Sequence, residues 1–423
     1  MPETITGPTT DRPADTTEPQ VLTSDDEAIE VARALVPRLA DGAAKRDRER
    51  RLPHAQVREL SHSGLLGITV PRALGGADVR ASTVAEVLRL LGTADLSLAQ
   101  IPQPHFTFLN ALRLRGSVEA QQRVFGDVLA GALVSNAQAE RSGTTAHTYA
   151  TRLEQEGSRY LINGVKYYAT GSLFADWIAV VAPAETPDGP RPHTAYVRAN
   201  APGVRVEDDW NGMGQRTTAS GTVHLADVAV DRTFVLSQYR IFEGPTTYGA
   251  FAQLLHAAID TGVARGALSQ AAEFVRAKSR PWSESGVGTA AEDPLLIQRF
   301  GELEVDVRSA EALLATAAAR VDAANAVLDA TVPRDSGQAA ADVTAEASVA
   351  VAAAKVVAGR TAVAVSSALF EVAGTRATAE GENLHRLWRD ARTHTVHDPV
   401  RWKVQRIGDH CLNRRRPPRH GQL

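Results

Sequence analysis

The sequence predicts an α+β, multidomain fold: an N-terminal helical domain, a central small β-barrel and a C-terminal four-helix bundle. Three observations carry this. Apolar residues recur at helical spacing in both flanks. Between the flanks, the pattern shortens to strands bounded by turn residues. The C-terminal part then holds two long helical runs, one of them very rich in alanine. The 423 residues suit two or three domains at about 150 residues each.

Residues 1–24 are rich in Thr, Pro and acid and read as a disordered tail, with too little apolar surface to offset ordering entropy. The helical domain spans 25–131. It opens at SDDEAIEVARALVPRLA, where Ser24 suits an N-cap and three acids suit the first turn. The β-unit spans 132–240. RYLINGVKYYATG reads as two short strands around an Asn163-Gly164 hairpin turn. DWIAVVA, TAYVRA, VRVEDDW and SGTVHLADVAV supply further strands.

The bundle spans 241–412. Leu296, Phe300, Leu303 and Val307 share one helical face, and the Ala-rich run lets neighbours approach closely. VPRDSGQ links these two helices, and 413–423 form a basic Pro/Gly tail.

Composition excludes several classes. The net charge is −3, with no basic bias toward nucleic acid. The single cysteine, Cys411, rules out an intramolecular disulfide framework. No apolar run reaches the length of a membrane span and no signal pattern opens the chain, so a cytoplasmic protein without membrane contact is expected.

Near the C-terminus the chain reads RTHTVHDPV. His394 and His397, three apart, fall on one helical face. A metal pair would need further ligands, and no E-x-x-H partner or Cys pair supplies them. Acid–base work is the stronger reading, because imidazole titrates near neutrality. A helix-end histidine favoured by the dipole is the structural alternative. His105, in QIPQPHFTFLN, follows Pro104 at a helix start with Phe106 and Phe108 nearby.

Three stretches resemble the acyl-CoA dehydrogenase superfamily: LLGITVPRALGGADV (65–79), YLINGVKYYATGSLFADWIAVVA (160–182) and RLWRDAR (386–392). One departure is decisive. Where ordinary members follow RDA with a glutamate-bearing segment, this chain has VHDPV (396–400). With DDWNGMGQRTTASGT and SRPW, that segment is similar to the flavin-dependent monooxygenase branch. Its relatives are the dibenzothiophene monooxygenases and the sulfur-acquisition oxidoreductases linked to dimethyl sulfone use.

This resemblance implies a two-component enzyme. It would take reduced FMN (FMNH2) from a separate NAD(P)H-dependent flavin reductase, bind O2, and work through a C4a-hydroperoxide on a small organosulfur compound. FAD stays open, since the fold has no GxGxxG cradle. A homotetramer is implied, with the flavin site borrowing groups from a neighbouring subunit. An acyl-CoA dehydrogenase with Asp398 as α-proton base is the alternative.

The resemblance also gives roles to residues. Thr170 would direct its hydroxyl to the flavin edge, though β-propensity alone explains a strand threonine. Tyr168 and Trp210 would wall the cofactor, or serve as core aromatics. Asn136 would hold a flavin carbonyl or an oxygen atom. Arg280 and Arg376 would bind the flavin phosphate. His397 would hold and protonate the oxygen species, with His394 beside it. Pro104 and His105 would line the substrate pocket. Pro104 replaces an aromatic hydroxyl of the dibenzothiophene enzymes, which favours a smaller substrate.

Overall fold

The computed structural model describes residues 18–141, 149–330 and 337–423. Seven helices open the chain: α1 (Asp25–Ala40), α2 (Ala43–Glu49), α3 (His54–His62), α4 (Ala81–Ala94), α5 (Leu96–Gln100), α6 (Pro102–Arg115) and α7 (Val118–Leu129). The Ser24 side chain accepts the Glu27 N–H, so the expected N-cap forms. Ala28, Ala32, Leu35 and Leu39 give α1 one buried face, which packs on α4.

Eight strands follow: β1 (Val134–Ala137), β2 (Arg152–Glu156), β3 (Arg159–Ala169), β4 (Trp177–Ala184), β5 (Arg191–Arg198), β6 (Val204–Val206), β7 (Gly221–Asp231) and β8 (Val235–Leu236). They form one sheet in the order β6-β7-β3-β2-β4-β5-β8, with β1 on β4. The sheet wraps a core containing Leu153, Ile162, Val180 and Val223. Among the described residues no ladder joins β6 to β8, so the expected barrel is an open one.

The expected hairpin at Asn163-Gly164 is corrected. β3 runs straight through that pair, and the β2–β3 turn lies at Gly157-Ser158, between paired Glu156 and Arg159. Asn163-Gly164 instead forms a bulge, marked by a register shift against β7. Gly164 has φ 156°, and a Cβ there would collide with Thr151.

The bundle contains α8 (Tyr248–Lys278), α9 (Pro294–Ala330) and α10 (Gly337–Ala373). Two shorter helices, α11 (His385–Thr395) and α12 (Val400–Asn413), pack on α10 and share the fourth position. Pro399 separates them, because it is the N-cap of α12 and cannot continue α11.

One sequence expectation on membrane length needs amending. α10 is long and apolar enough to cross a bilayer, with mean hydropathy 1.5 over its best window, yet 56% of that window is buried in the protein. Its apolar face serves α8 and α9. Gly92 and Gly262 bring α4 close to α8, since a Cβ at Gly262 would collide with the Arg89 carbonyl.

The described parts of the two expected tails, 18–24 and 413–423, are held against the fold. Residues 1–17 lie outside the described residues. Next to them, Gln20 N–H donates to the His62 carbonyl and Leu22 is buried, because its side chain finds apolar cover under α3. At the other end Lys403 donates to the Gln422 carbonyl, Gln253 to that of Gly421, and Leu423 is buried. A Cβ at Gly249 would collide with this returning segment.

Candidate active site

Two polar clusters meet at α11. The first is built on the loop after β6. Trp210 Nε1 and the Thr218 hydroxyl both donate to the Gln215 carbonyl, at 2.7 and 3.0 Å. The Thr218 and Ser220 hydroxyls lie 2.8 Å apart, and those of Ser220 and Thr170 lie 2.9 Å apart. The Gln215 N–H donates to the Asp390 carboxyl of α11 at 2.6 Å. Gly214 permits this, since a Cβ there would collide with the Arg389 carbonyl. The Thr170 hydroxyl thus belongs to a chain of groups anchored on α11. Burial, then the nearby Asp47 charge, pushes the Asp390 carboxyl up to about 7.

Tyr168 and Trp210 flank this chain. Tyr168 takes a left-handed φ of 57°, which exposes its ring and turns it edge-on to Trp210, 6.1 Å between centroids. A bridge between Ala139 and Tyr167 sets the segment after β1 beside the end of β3, the strand that Thr170 follows. Asn136 Oδ1 and Gln215 Nε2 are both buried without a partner. A buried acceptor and a buried donor left unpaired, together with the ordered hydroxyl of Thr170, match the alternating carbonyl and N–H groups of a flavin edge. The residues present therefore fit a flavin.

The second cluster is imidazole-rich and begins one turn along α11. His394 Nδ1 lies 2.6 Å from Asp260 Oδ1 of α8. The other oxygen, Asp260 Oδ2, accepts from Lys355 Nζ of α10 at 2.7 Å. His394 Nε2 lies 3.0 Å from His256 Nδ1 of α8. Asp260, His394, His256 and Lys355 are all buried. Burial opposes ionisation of Asp260, but the charge of Lys355 and the contacts with His394 override it and hold the carboxyl down to about 2. Burial lowers the pKa of His256 well below the ordinary imidazole value, and His397, Lys355 and His394 add to that.

His397 departs from the expected shared helical face. α11 ends at Thr395, and the His397 N–H closes a turn onto the His394 carbonyl. Its ring reaches His256 instead, 4.4 Å between centroids and tilted by 33°. One side of His397 faces the surface. Crowding by protein lowers its pKa despite that exposed edge, and His394, Lys355 and Lys403 push the same way against Asp398.

Asp398 is buried, and its Oδ2 accepts from Lys403 Nζ at 2.7 Å. Burial would raise its pKa, but Lys403 and Lys355 lower it. A carboxylate held ionised by a lysine is a weak proton acceptor, which argues against Asp398 as an α-proton base.

Other expected residues fall elsewhere. His105 is fully buried: its Nδ1 accepts the Val134 N–H at 3.0 Å, and its Nε2 faces the Leu66 carbonyl at 2.8 Å. Both ring nitrogens are thus taken by backbone, and burial lowers its pKa to about 4. This corrects the reading of His105 as a substrate-pocket group. It joins α6 to β1. Pro104 is buried in the first turn of α6.

Arg280 and Arg376 lie together at the far end of α8, where Arg376 Nη1 donates to the Lys278 carbonyl at 2.5 Å. From His256 to Lys278 is 22 residues of α8, or ~33 Å of helix axis. Within one chain these arginines stand far from the imidazoles. Among the described residues no group of three or more His, Cys, Asp or Glu could hold a metal ion.

Sequence reasoning missed His256, Asp260, Lys355, Lys403, Gln215 and Asp390 as site groups. LLHAAID did carry a signal, since His256 and Asp260 are four apart in a helical run and face one side. So did Lys355, the one charge within AVAAAKVVAG.

Comparison with known proteins agrees with this layout. Models of the acyl-CoA dehydrogenase N-terminal, middle and C-terminal domains match residues 25–132, 135–228 and 254–402. A dibenzothiophene monooxygenase of Mycolicibacterium goodii is 33% identical over 401 residues, covering 92% of this chain and 94% of that one. The probable FMNH2-dependent monooxygenase SfnC of Pseudomonas putida is 29% identical over 405 residues, covering 92% and 96%. The crystal structure of FMN-bound TdsC from Paenibacillus sp. A11-2 superposes with a TM-score of 0.85 at 30% identity, covering 94% of this chain and all of that one.

Proposed function

Because the chain belongs to the acyl-CoA dehydrogenase family, in the branch of the dibenzothiophene monooxygenases, we propose that it is a flavin-dependent monooxygenase. It takes reduced FMN from a separate NAD(P)H-dependent flavin reductase, together with O2, and oxygenates a small organosulfur compound. The observation that carries this is the content of the segment after α11. Asp398 is neutralised by Lys403, and three imidazoles gather where a dehydrogenase would present a free carboxylate.

The bound flavin supplies the electrons that activate O2. The chain's own groups bind, orient and shield. The Thr170 hydroxyl, held by Ser220, would meet the flavin edge, and the unpaired Asn136 Oδ1 would accept from it. Trp210 and Tyr168 form the apolar wall of the mouth. His397, at the surface edge of the imidazole cluster, holds oxygen by hydrogen bonding and moves a proton to the departing oxygen atom, with His394 behind it. Pro104, in place of an aromatic hydroxyl, suits a substrate smaller than a three-ring sulfide.

Arg280 and Arg376 would bind the phosphate of a flavin seated in a neighbouring subunit, which would require an oligomer; a homotetramer is the assembly we propose. Their distance along α8 from their own imidazoles supports this. So do the exposed Trp282, Leu295, Ile297 and Trp402.

Two assays test the function. The first feeds reduced FMN to the protein in air with small sulfones, sulfoxides and alkanesulfinates, and with dibenzothiophene. A monooxygenated product is expected, largest for a small substrate. The second adds acyl-CoA to the flavin-loaded protein without oxygen. Bleaching of the flavin there, with no product in the first assay, would make the protein a dehydrogenase.

A further inference from the structure

The contacts of the imidazole cluster fix where its protons sit. A carboxylate only accepts hydrogen bonds, and Asp260 is flanked by Lys355 Nζ at 2.7 Å and His394 Nδ1 at 2.6 Å. His394 therefore carries a hydrogen on Nδ1. One hydrogen then lies between His394 Nε2 and His256 Nδ1, 3.0 Å apart. With His394 neutral, its Nε2 accepts and His256 donates from Nδ1. His256 Nε2 is left as a lone pair, on the ring that stacks against His397.

We propose that His256 is the working end of a proton relay, His256–His394–Asp260, with Asp260 and Lys355 as positioning residues. A proton arriving at His256 Nε2 displaces the Nδ1 hydrogen onto His394 Nε2. The positive charge then rests beside Asp260. The reverse shift releases a proton toward His397 and the pocket. Each shift moves a hydrogen along an existing hydrogen bond and leaves the heavy atoms in place.

Lys355 matters because of charge balance. A lone buried carboxylate favours a positive charge on the ring beside it. Paired with Lys355, Asp260 leaves the imidazoles neutral at rest. The other charged groups facing the cluster are Asp398 and Lys403, which pair with each other at 2.7 Å. Two ion pairs thus enclose three imidazoles with no net charge. The lowered pKa of His256 agrees with a neutral resting state.

The use of the relay rests on the oxygenation reading. Reduced flavin, O2 and substrate give oxidised flavin, monooxygenated substrate and water. Both hydrogens of that water come from the reduced flavin, so the relay lends one proton per turnover and recovers it.

The test uses the full-length protein with reduced FMN, comparing wild type, His256→Gln, Asp260→Asn and Lys355→Met. His256→Gln is expected to keep its thermal midpoint, flavin affinity and KM while kcat falls about 10²-fold and H2O2 release rises. Asp260→Asn offers an amide N–H to His394 Nδ1 and forces the hydrogen to Nε2, so kcat falls with KM retained. Lys355→Met removes the charge that balances Asp260 and frees the oxygen it held, so kcat falls with KM retained.

A folded His256→Gln with wild-type kcat and coupling overturns the relay while oxygenation by the wild type stands. Should the wild type oxygenate nothing, nitrogen-15 histidine spectra still decide the relay. Hydrogens on Nδ1 of both His394 and His256 support it, and a resting hydrogen on His256 Nε2 overturns it.

Discussion

His256 Nδ1 lies 3.0 Å from His394 Nε2, and this contact ties the first long bundle helix to the short helix that carries the dehydrogenase-like RDA segment. Asp260 stands behind His394 at 2.6 Å and His397 lies over His256. The site is therefore an interior polar cluster held from three helices, with one imidazole at its edge. Several consequences of this arrangement are open to measurement.

Asp260 should supply acid-dependent stability. Its folded pKa, about 2, lies below the ordinary 3.8. A depressed carboxylate stabilises the fold above its unfolded pKa, and that stabilisation is lost as pH falls through the interval between the two values. Denaturant titrations from pH 5 downward should show a steep loss in wild type between about pH 4 and 2. Asp260→Asn should flatten that limb. Lys355→Met removes one of the two partners of Asp260 and should lower stability near neutrality, by less than the ~3–5 kcal/mol of a fully unpaired buried charge, because His394 still faces the carboxylate.

Asp390 has the opposite sign. Its folded pKa, about 7, lies above the ordinary 3.8. The protonated form is favoured in the fold, so this contribution is full below the unfolded pKa and is lost as pH rises through the folded one. Asparagine also accepts the Gln215 N–H and carries no charge. Asp390→Asn should therefore gain melting temperature relative to wild type as pH rises from about 4 to 8. A difference that stays constant over that range would show that Asp390 ionises normally.

His105→Ala should act on stability alone. It removes two buried backbone contacts, to Leu66 and Val134, and leaves a cavity. A loss of ~2–4 kcal/mol is expected, with kcat and KM unchanged at a temperature where the variant stays folded. A raised KM at full stability would return His105 to the substrate pocket.

Gly214→Ala should weaken flavin binding. The added Cβ collides with the Arg389 carbonyl and displaces Gln215 from Asp390. The hydroxyl chain to Thr170 depends on that loop. FMN affinity by fluorescence titration should fall while global stability changes less. Unchanged affinity would separate this loop from the cofactor.

Much of the fold was legible because periodicity and capping are local. The Ser24 cap, the apolar face of α1 and the two long bundle helices follow from spacing alone. The Asn163-Gly164 turn was misread because a bulge and a hairpin turn ask for the same residues, and only pairing with β7 separates them. Of the site, the histidines after Asp390 were legible from their place in the motif. Their partners were not, because His256 and Lys355 lie 138 and 39 residues away from His394 in sequence. Helix packing alone brings them together. His105 was misjudged because a histidine facing a pocket and one bridging a backbone carbonyl and a backbone amide leave the same mark on a helix.

The most direct test of the central claim is oxygen labelling. The protein, supplied with reduced FMN and oxygen-18 gas, turns over a small organosulfur substrate, and the product is weighed by mass spectrometry. The account predicts one labelled oxygen atom per product molecule, with little H2O2 released. Unlabelled substrate at the end, with all the oxygen recovered as H2O2, would contradict it.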